Sequence, residues 1–143
     1  RTLLENTPGE KPFALLLLDV DNFKQTNDRY GHPKGDAVLR CLGENLSGLF
    51  RRDDVVGRVG GDEFLMMMPG AGGEQAVGRA RKIAQEMCRS VSVQCGVDVS
   101  GSIGVVLSKP GACAYEELLR RADSALYAAK AAGKGCYRVY GGA

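Results

Sequence analysis

Gly60-Gly61-Asp62-Glu63-Phe64 sets two carboxylates directly behind two glycines, with apolar runs on either side. Glycine lets a backbone turn tightly and lets a ligand come close. An ordinary hairpin tip prefers Asn-Gly or Asp-Gly among solvated neighbours. Glycines first and acids second point instead to a tip that presents acidic groups to a metal or a polyanion. A second acidic pair, in Asp19-Val20-Asp21, closes the apolar run FALLLLD. An unpaired charge at the end of a buried strand is expensive, which favours a ligand role for Asp19. Carboxylates at a strand end, opposite a hairpin carrying two more, suit a magnesium site for a nucleoside triphosphate. Such sites use one or two carboxylates, main-chain carbonyls, water and phosphate oxygens. Asp21 has a second reading, in which it or Asn22 caps a helix starting near Phe23.

The polar stretch that follows, Asp21 to Asp36, holds further candidates. An amide and a carboxylate can together read the Watson–Crick edge of guanine, the carboxylate accepting from N1–H and N2–H₂. Asn27 and Asp36 could do so only if the segment between them folds back. Lys24 could face phosphates or simply be solvated. His32, the one histidine, sits between Gly31 and Pro33 and reads as structural.

These residues need elements to carry them. Residues 13–19 read as a strand buried on both faces. Val38, Leu39, Leu42, Leu46, Leu49 and Phe50 recur at helical spacing. Residues 55–59 and 64–68 are short apolar strands that make a hairpin around Gly60-Gly61. Ala76, Val77, Ala80, Ile83, Ala84, Met87 and Val91 form a second helical stripe. Residues 97–107 read as a strand interrupted by glycines. Leu118, Leu119, Ala122, Ala125, Leu126 and Ala129 form another helix, stopped near Gly133, and Tyr137 to Tyr140 closes as an edge strand. The order is strand, helix, hairpin, helix, strand, helix, strand. Because one connection is a tight hairpin, the sheet must be mixed.

With 143 residues the chain is expected to be a single domain with a self-sufficient core. Its longest apolar run, Phe13 to Leu18, is far too short to span a bilayer. No secretory leader opens the chain, so a cytoplasmic location without membrane contact by this domain is expected. A net charge of +2 gives no case for nucleic-acid binding. Five scattered cysteines without a C-x-x-C pair read as reduced thiols, not as a disulfide framework or zinc site. The first core strand starts only a dozen residues in, which suggests a domain excised from a longer signalling protein.

Four blocks, in order, make the chain resemble a GGDEF domain of the diguanylate cyclase family. They are DVDNFKQTNDRYGHPKGD (Asp19 to Asp36), RVGGDEF (Arg58 to Phe64), SGSIGV (Ser100 to Val105) and RADSALYAAKAAGK (Arg121 to Lys134). The resemblance implies an α+β fold: a mixed, mainly antiparallel sheet wrapped by helices, related to polymerase palms and nucleotide cyclases. It implies an enzyme that makes cyclic di-GMP from two GTP, with one GTP per domain and a homodimer of facing half-sites. Mg²⁺ or Mn²⁺ would be bound by Asp19, Asp62 and the Val20 carbonyl, with Glu63 assisting in the same acidic site. Gly60 and Gly61 would admit the nucleotide, and Asn27 and Asp36 match the guanine-reading pair. Lys24 and Lys130 match phosphate contacts. Lys134 stands where many members have Arg, so its contact would be a point charge and not a bidentate fork. An upstream sensor or receiver module is the expected partner in the full-length protein.

Arg51-Arg52-Asp53-Asp54 follows the first long helical stripe and could be a solvated terminus, since basic residues suit a helix C-terminus. The family's product-inhibition motif is R-x-x-D, five residues before the signature glycines. Arg51 and Asp54 occupy that position, and Arg with Asp suits guanine. A further basic residue from Arg79 to Lys82 would complete an inhibitory site for cyclic di-GMP. The alternative function is a catalytically silent domain that binds GTP or cyclic di-GMP; degenerate members usually lose the acids that Asp19, Asp62 and Glu63 retain here. A domain that only dimerises would have no use for those acids together with the guanine-reading pair.

Overall fold

A computed structural model describes residues 11–141. Along the chain the elements are β1 (Phe13–Val20), α1 (Phe23–Tyr30), α2 (His32–Leu49), β2 (Val55–Arg58), β3 (Glu63–Pro69), α3 (Gly73–Lys82), a π-helical turn over Ile83–Met87, α4 (Cys88–Cys95), β4 (Gly101–Ser108), α5 (Tyr115–Ala131) and β5 (Tyr137–Val139). The strands form one sheet in the order β2-β3-β1-β4-β5. All neighbours are antiparallel except β4 and β5, which run parallel. A parallel neighbour needs a long crossover, and α5 supplies it. The mixed sheet expected from the element order and the α+β class that the resemblance implies are the observed ones.

β1 is central because both its faces are apolar. Ala14, Leu16, Leu18 and Val20 enter one core with Val38, Leu42 and Leu46 of α2 and Ile83 and Val91 of the α3–α4 helix. Phe13, Leu15 and Leu17 enter a second core with Leu118, Ala122 and Leu126 of α5. The period-two alternation of a strand thus divides one unbroken hydrophobic run between two layers. Gly104 lets α5 lie directly on β4: a Cβ there would come within 2.3 Å of the Ala122 carbonyl oxygen and 2.6 Å of the Leu126 nitrogen.

The polar stretch 21–36 contains α1, which starts at Phe23 as the capping reading of residues 21 and 22 has it, and the start of α2; no residue of α1 is fully buried, so no apolar stripe marks it. Two expectations need correction. The strand expected from residue 97 begins at Gly101. Residues before it are drawn back to α4, where Ser92 Oγ receives the Val99 N–H at 2.8 Å. The helix over the second stripe is interrupted by the π turn. All five cysteines are free thiols. Cys88 is buried, and burial together with the nearby Asp21 carboxylate pushes its thiol up to about 11. Among the described residues no helix is long and apolar enough to cross a membrane.

Candidate functional site

The site is assembled where β1 ends. Asp19 pairs in register with Glu63 on β3 and with Ser102 on β4. The next residue, Val20, donates its N–H to the Asp62 carbonyl at 3.2 Å, tying the signature turn to the strand end. Within the turn, Val59 donates to the Glu63 carbonyl at 3.0 Å. The Arg58 guanidinium donates to the Gly60 carbonyl at 3.3 Å and to the Gly61 carbonyl at 2.6 and 3.0 Å. Arg58 was absent from the sequence-derived site; no signal beyond its place before the glycines marks it. Gly60 lies beneath Glu63, since a Cβ on it would be 3.2 Å from Glu63 Oε1.

Asp19 is ion-paired with Lys130, which reaches it from the last turn of α5. Burial nevertheless pushes the Asp19 carboxyl up to about 6; Lys130 pulls it down, and Asp62 beside it pushes it up again. Glu63 is also raised, first by burial and then by Asp123 and Asp62. The Asp62 carboxyl is near enough to Asp19 to act on it. Asp19 Oδ1 is buried without a partner. Crowded acids around an unpartnered oxygen fit a hard divalent cation, which relieves their repulsion. Among the described residues no three His, Cys, Asp or Glu side chains converge into a ready ligand set. A cation here would be held by the set that the resemblance implies, Asp19, Asp62 and the Val20 carbonyl, with water and the ligand's own oxygens.

The fold brings Asn27 and residue 35 together. α1 and α2 double back at Gly31, whose φ of +92° suits glycine. A Cβ on Gly35 would lie 1.8 Å from Asn27 Oδ1, so only glycine there leaves room for the amide. That oxygen is buried and unpartnered, and Asp36 is exposed one residue further on. Lys24 is exposed on α1, while Lys134 donates to Asn22 Oδ1 at 2.7 Å. Of the capping reading of residues 21 and 22, the helix start at Phe23 holds and Asn22 takes the N-cap, but in a left-handed conformation and without a side-chain cap bond. Asp21 instead is buried and turned towards Ser100 and Ser102.

Arg51 and Asp54 close a short turn, in which Arg51 N–H donates to Asp54 Oδ2 at 2.8 Å and Asp54 N–H to the Arg51 carbonyl at 3.0 Å. They line a cavity of about 320 Å³ with Glu74, Gly78, Arg79 and Lys82. The basic residues whose register the sequence left open are thus brought to this pair. Arg79 is fixed by the Leu49 carbonyl at 2.7 Å and lies over the Phe50 ring at 4.9 Å.

Residues 1–136 match the family model described as diguanylate cyclase, GGDEF domain. The chain belongs to the GGDEF-domain family. This GGDEF domain is 37% identical over 142 residues to the diguanylate cyclase TpbB of Pseudomonas aeruginosa, covering 97% of this chain and 33% of that protein. The chain spans about a third of the length of the curated relatives it matches. The active GGEEF domain of a diguanylate cyclase from Vibrio cholerae superposes with a TM-score of 0.82 at 32% identity, over 91% of this chain and 83% of that one. The GGDEF domain of DgcB from Caulobacter crescentus, solved in complex with c-di-GMP, gives 0.81 at 28% identity, over 92% and 79%.

Proposed function

We propose that this GGDEF domain is a diguanylate cyclase that condenses two GTP into cyclic di-GMP with release of pyrophosphate, in a dimer whose two domains each hold one GTP. The observation that carries the reading is the buried, unpartnered Asp19 Oδ1 beside Asp62 and Lys130. The named cyclases among its relatives support it. Mg²⁺ or Mn²⁺, held by Asp19, Asp62 and the Val20 carbonyl, supplies charge neutralisation at the triphosphate and acidifies the 3′-hydroxyl when bound.

The chain's own residues do the rest. Asn27 and Asp36 read the guanine edge, and Gly60 and Gly61 let the nucleotide lie against the hairpin. Lys24, Lys130 and Lys134 hold phosphates; Lys130 exchanges its Asp19 partner for a phosphate oxygen. The 3′-oxygen of one GTP bonds to the α-phosphorus of the other, and the bond to the bridging oxygen of the β-phosphate breaks. Pyrophosphate leaves with that electron pair, and Glu63 takes the hydroxyl proton. A second, symmetric attack closes the ring, so one domain alone holds half a reaction centre.

Incubating the purified domain with GTP and Mg²⁺ or Mn²⁺ is expected to yield cyclic di-GMP and two pyrophosphates per product. Turnover is slow for the free domain and faster when a fused coiled coil forces dimers. Forced dimers that bind GTP without product would instead leave the silent regulatory reading.

Arg51 and Asp54, with Arg79 and Lys82 alongside, form the inhibitory site for cyclic di-GMP. Arg51→Ala is expected to raise the cyclic di-GMP concentration for half-inhibition by roughly tenfold or more, since a charge-assisted guanine contact is lost. An unchanged inhibition curve removes this site from the proposal.

A further inference from the structure

We infer that Asp21 is a positioning residue: its buried carboxylate fastens the turn over residues 133–135 to the end of β1 and thereby sets where Lys134 stands at the nucleotide site. What Lys134 meets rests on the cyclase reading; how it is held does not.

Asp21 is 5% exposed, and a carboxylate so buried persists only when its oxygens are hydrogen-bonded. Oδ1 accepts from Ser102 Oγ at 2.6 Å. Oδ2 accepts from Ser100 Oγ at 2.7 Å and from the Gly135 N–H at 2.9 Å. The Asp21 N–H donates to the Ser100 carbonyl at 2.9 Å. The two serines belong to the entry into β4, and Gly135 lies beyond the end of α5. One side chain therefore joins three separate parts of the chain, directly behind the acidic site.

An independent observation points to the same joint. Among the described residues, the non-glycine residues with positive φ are Asn22 (+55°) and Lys134 (+67°). Left-handed backbone is unfavourable for both and is retained where the surroundings over-determine it, commonly at functional sites. The two strained residues touch: Lys134 Nζ donates to Asn22 Oδ1 at 2.7 Å. Asp21 precedes the first and bonds the residue after the second, so it fixes both conformations at once. A lysine held this way carries its charge at a set place instead of sweeping the solvent.

The test has a ligand-free arm and a ligand arm. In Asp21→Ala, amide exchange of Gly135 followed by NMR is expected to speed up by roughly tenfold or more while central-strand amides keep their protection. In the ligand arm, calorimetry measures binding of the α,β-methylene analogue of GTP with Mg²⁺. Lys134→Ala and Asp21→Ala should each weaken binding by roughly tenfold, and the double variant should be no weaker than the weaker single one. Asp21→Asn keeps the shape and an acceptor for Gly135, and should restore both protection and affinity to within about threefold. Unchanged Gly135 exchange, or additive losses in the cycle, overturns the inference. A wild-type domain that fails to bind the analogue sinks the cyclase reading instead, and the exchange arm then decides the anchoring. Were the alanine variant to unfold, Asp21→Asn decides: a freed Gly135 with unchanged affinity overturns the inference.

Discussion

Asp62→Ala is expected to lower cyclic di-GMP formation by about 10³-fold or more while the domain stays folded, the scale for losing a group that supports transition-state charge. The fold should survive because the tie between turn and strand uses the Asp62 carbonyl, which Val20 bonds and alanine retains. The side chain itself is a burden on the unliganded domain. Burial and the neighbouring Asp62 carboxyl hold Asp19 at about 6, above its value in an unfolded chain. A group raised in this way contributes stability at low pH and loses it as pH rises through about 6. Removing Asp62 takes away part of that cost, so the variant should melt at or slightly above the wild-type temperature at pH 7.5. Product measured by chromatography and melting followed by calorimetry read the two effects separately. Activity within tenfold of wild type would contradict the role assigned to this carboxylate.

Gly104→Ala should cost about 3 kcal/mol or more, because the added methyl meets backbone and not a side chain that can swing aside. For a chain of this size that corresponds to a melting point lower by roughly 10 °C. The clash is with the middle of α5, and β4 cannot move without carrying β1 with it, since the two pair over Phe13 to Val20. The helix must tilt or lift. Its last turn carries Lys130, so activity should fall with stability even though Gly104 lies away from the acids. Gly48, where an added Cβ meets nothing within 4 Å, is the control: Gly48→Ala in α2 should be neutral or slightly stabilising. Equal melting points for the two variants would show that α5 does not press on β4 as described.

What the sequence revealed and what it hid divide along a physical line. β1, the hairpin and the long helices announce themselves because burial imposes a period on their apolar residues. α1 escapes that logic: none of its residues is fully buried, so no apolar stripe marks it. The acids of the site were legible as types at strand ends. Their mutual pressure was not, because it depends on burial and on Asp62 being folded against Asp19, with Lys130 arriving from 111 residues away to offset it. Asp21 was ambiguous for the same reason. An aspartate before a helix looks like a cap until Ser100, Ser102 and Gly135 are known to surround it. Arg58 and Gly35 matter through the space and carbonyls beside them, which no periodicity encodes.

The outer strands of the sheet are also its shortest, four residues in β2 and three in β5. An incoming strand from another molecule would find almost no open ladder to extend, so the domain resists fibril-like growth along its hydrogen-bonding direction. Any association of copies would fall to side chains and loops, outside the hydrogen-bonding ladder.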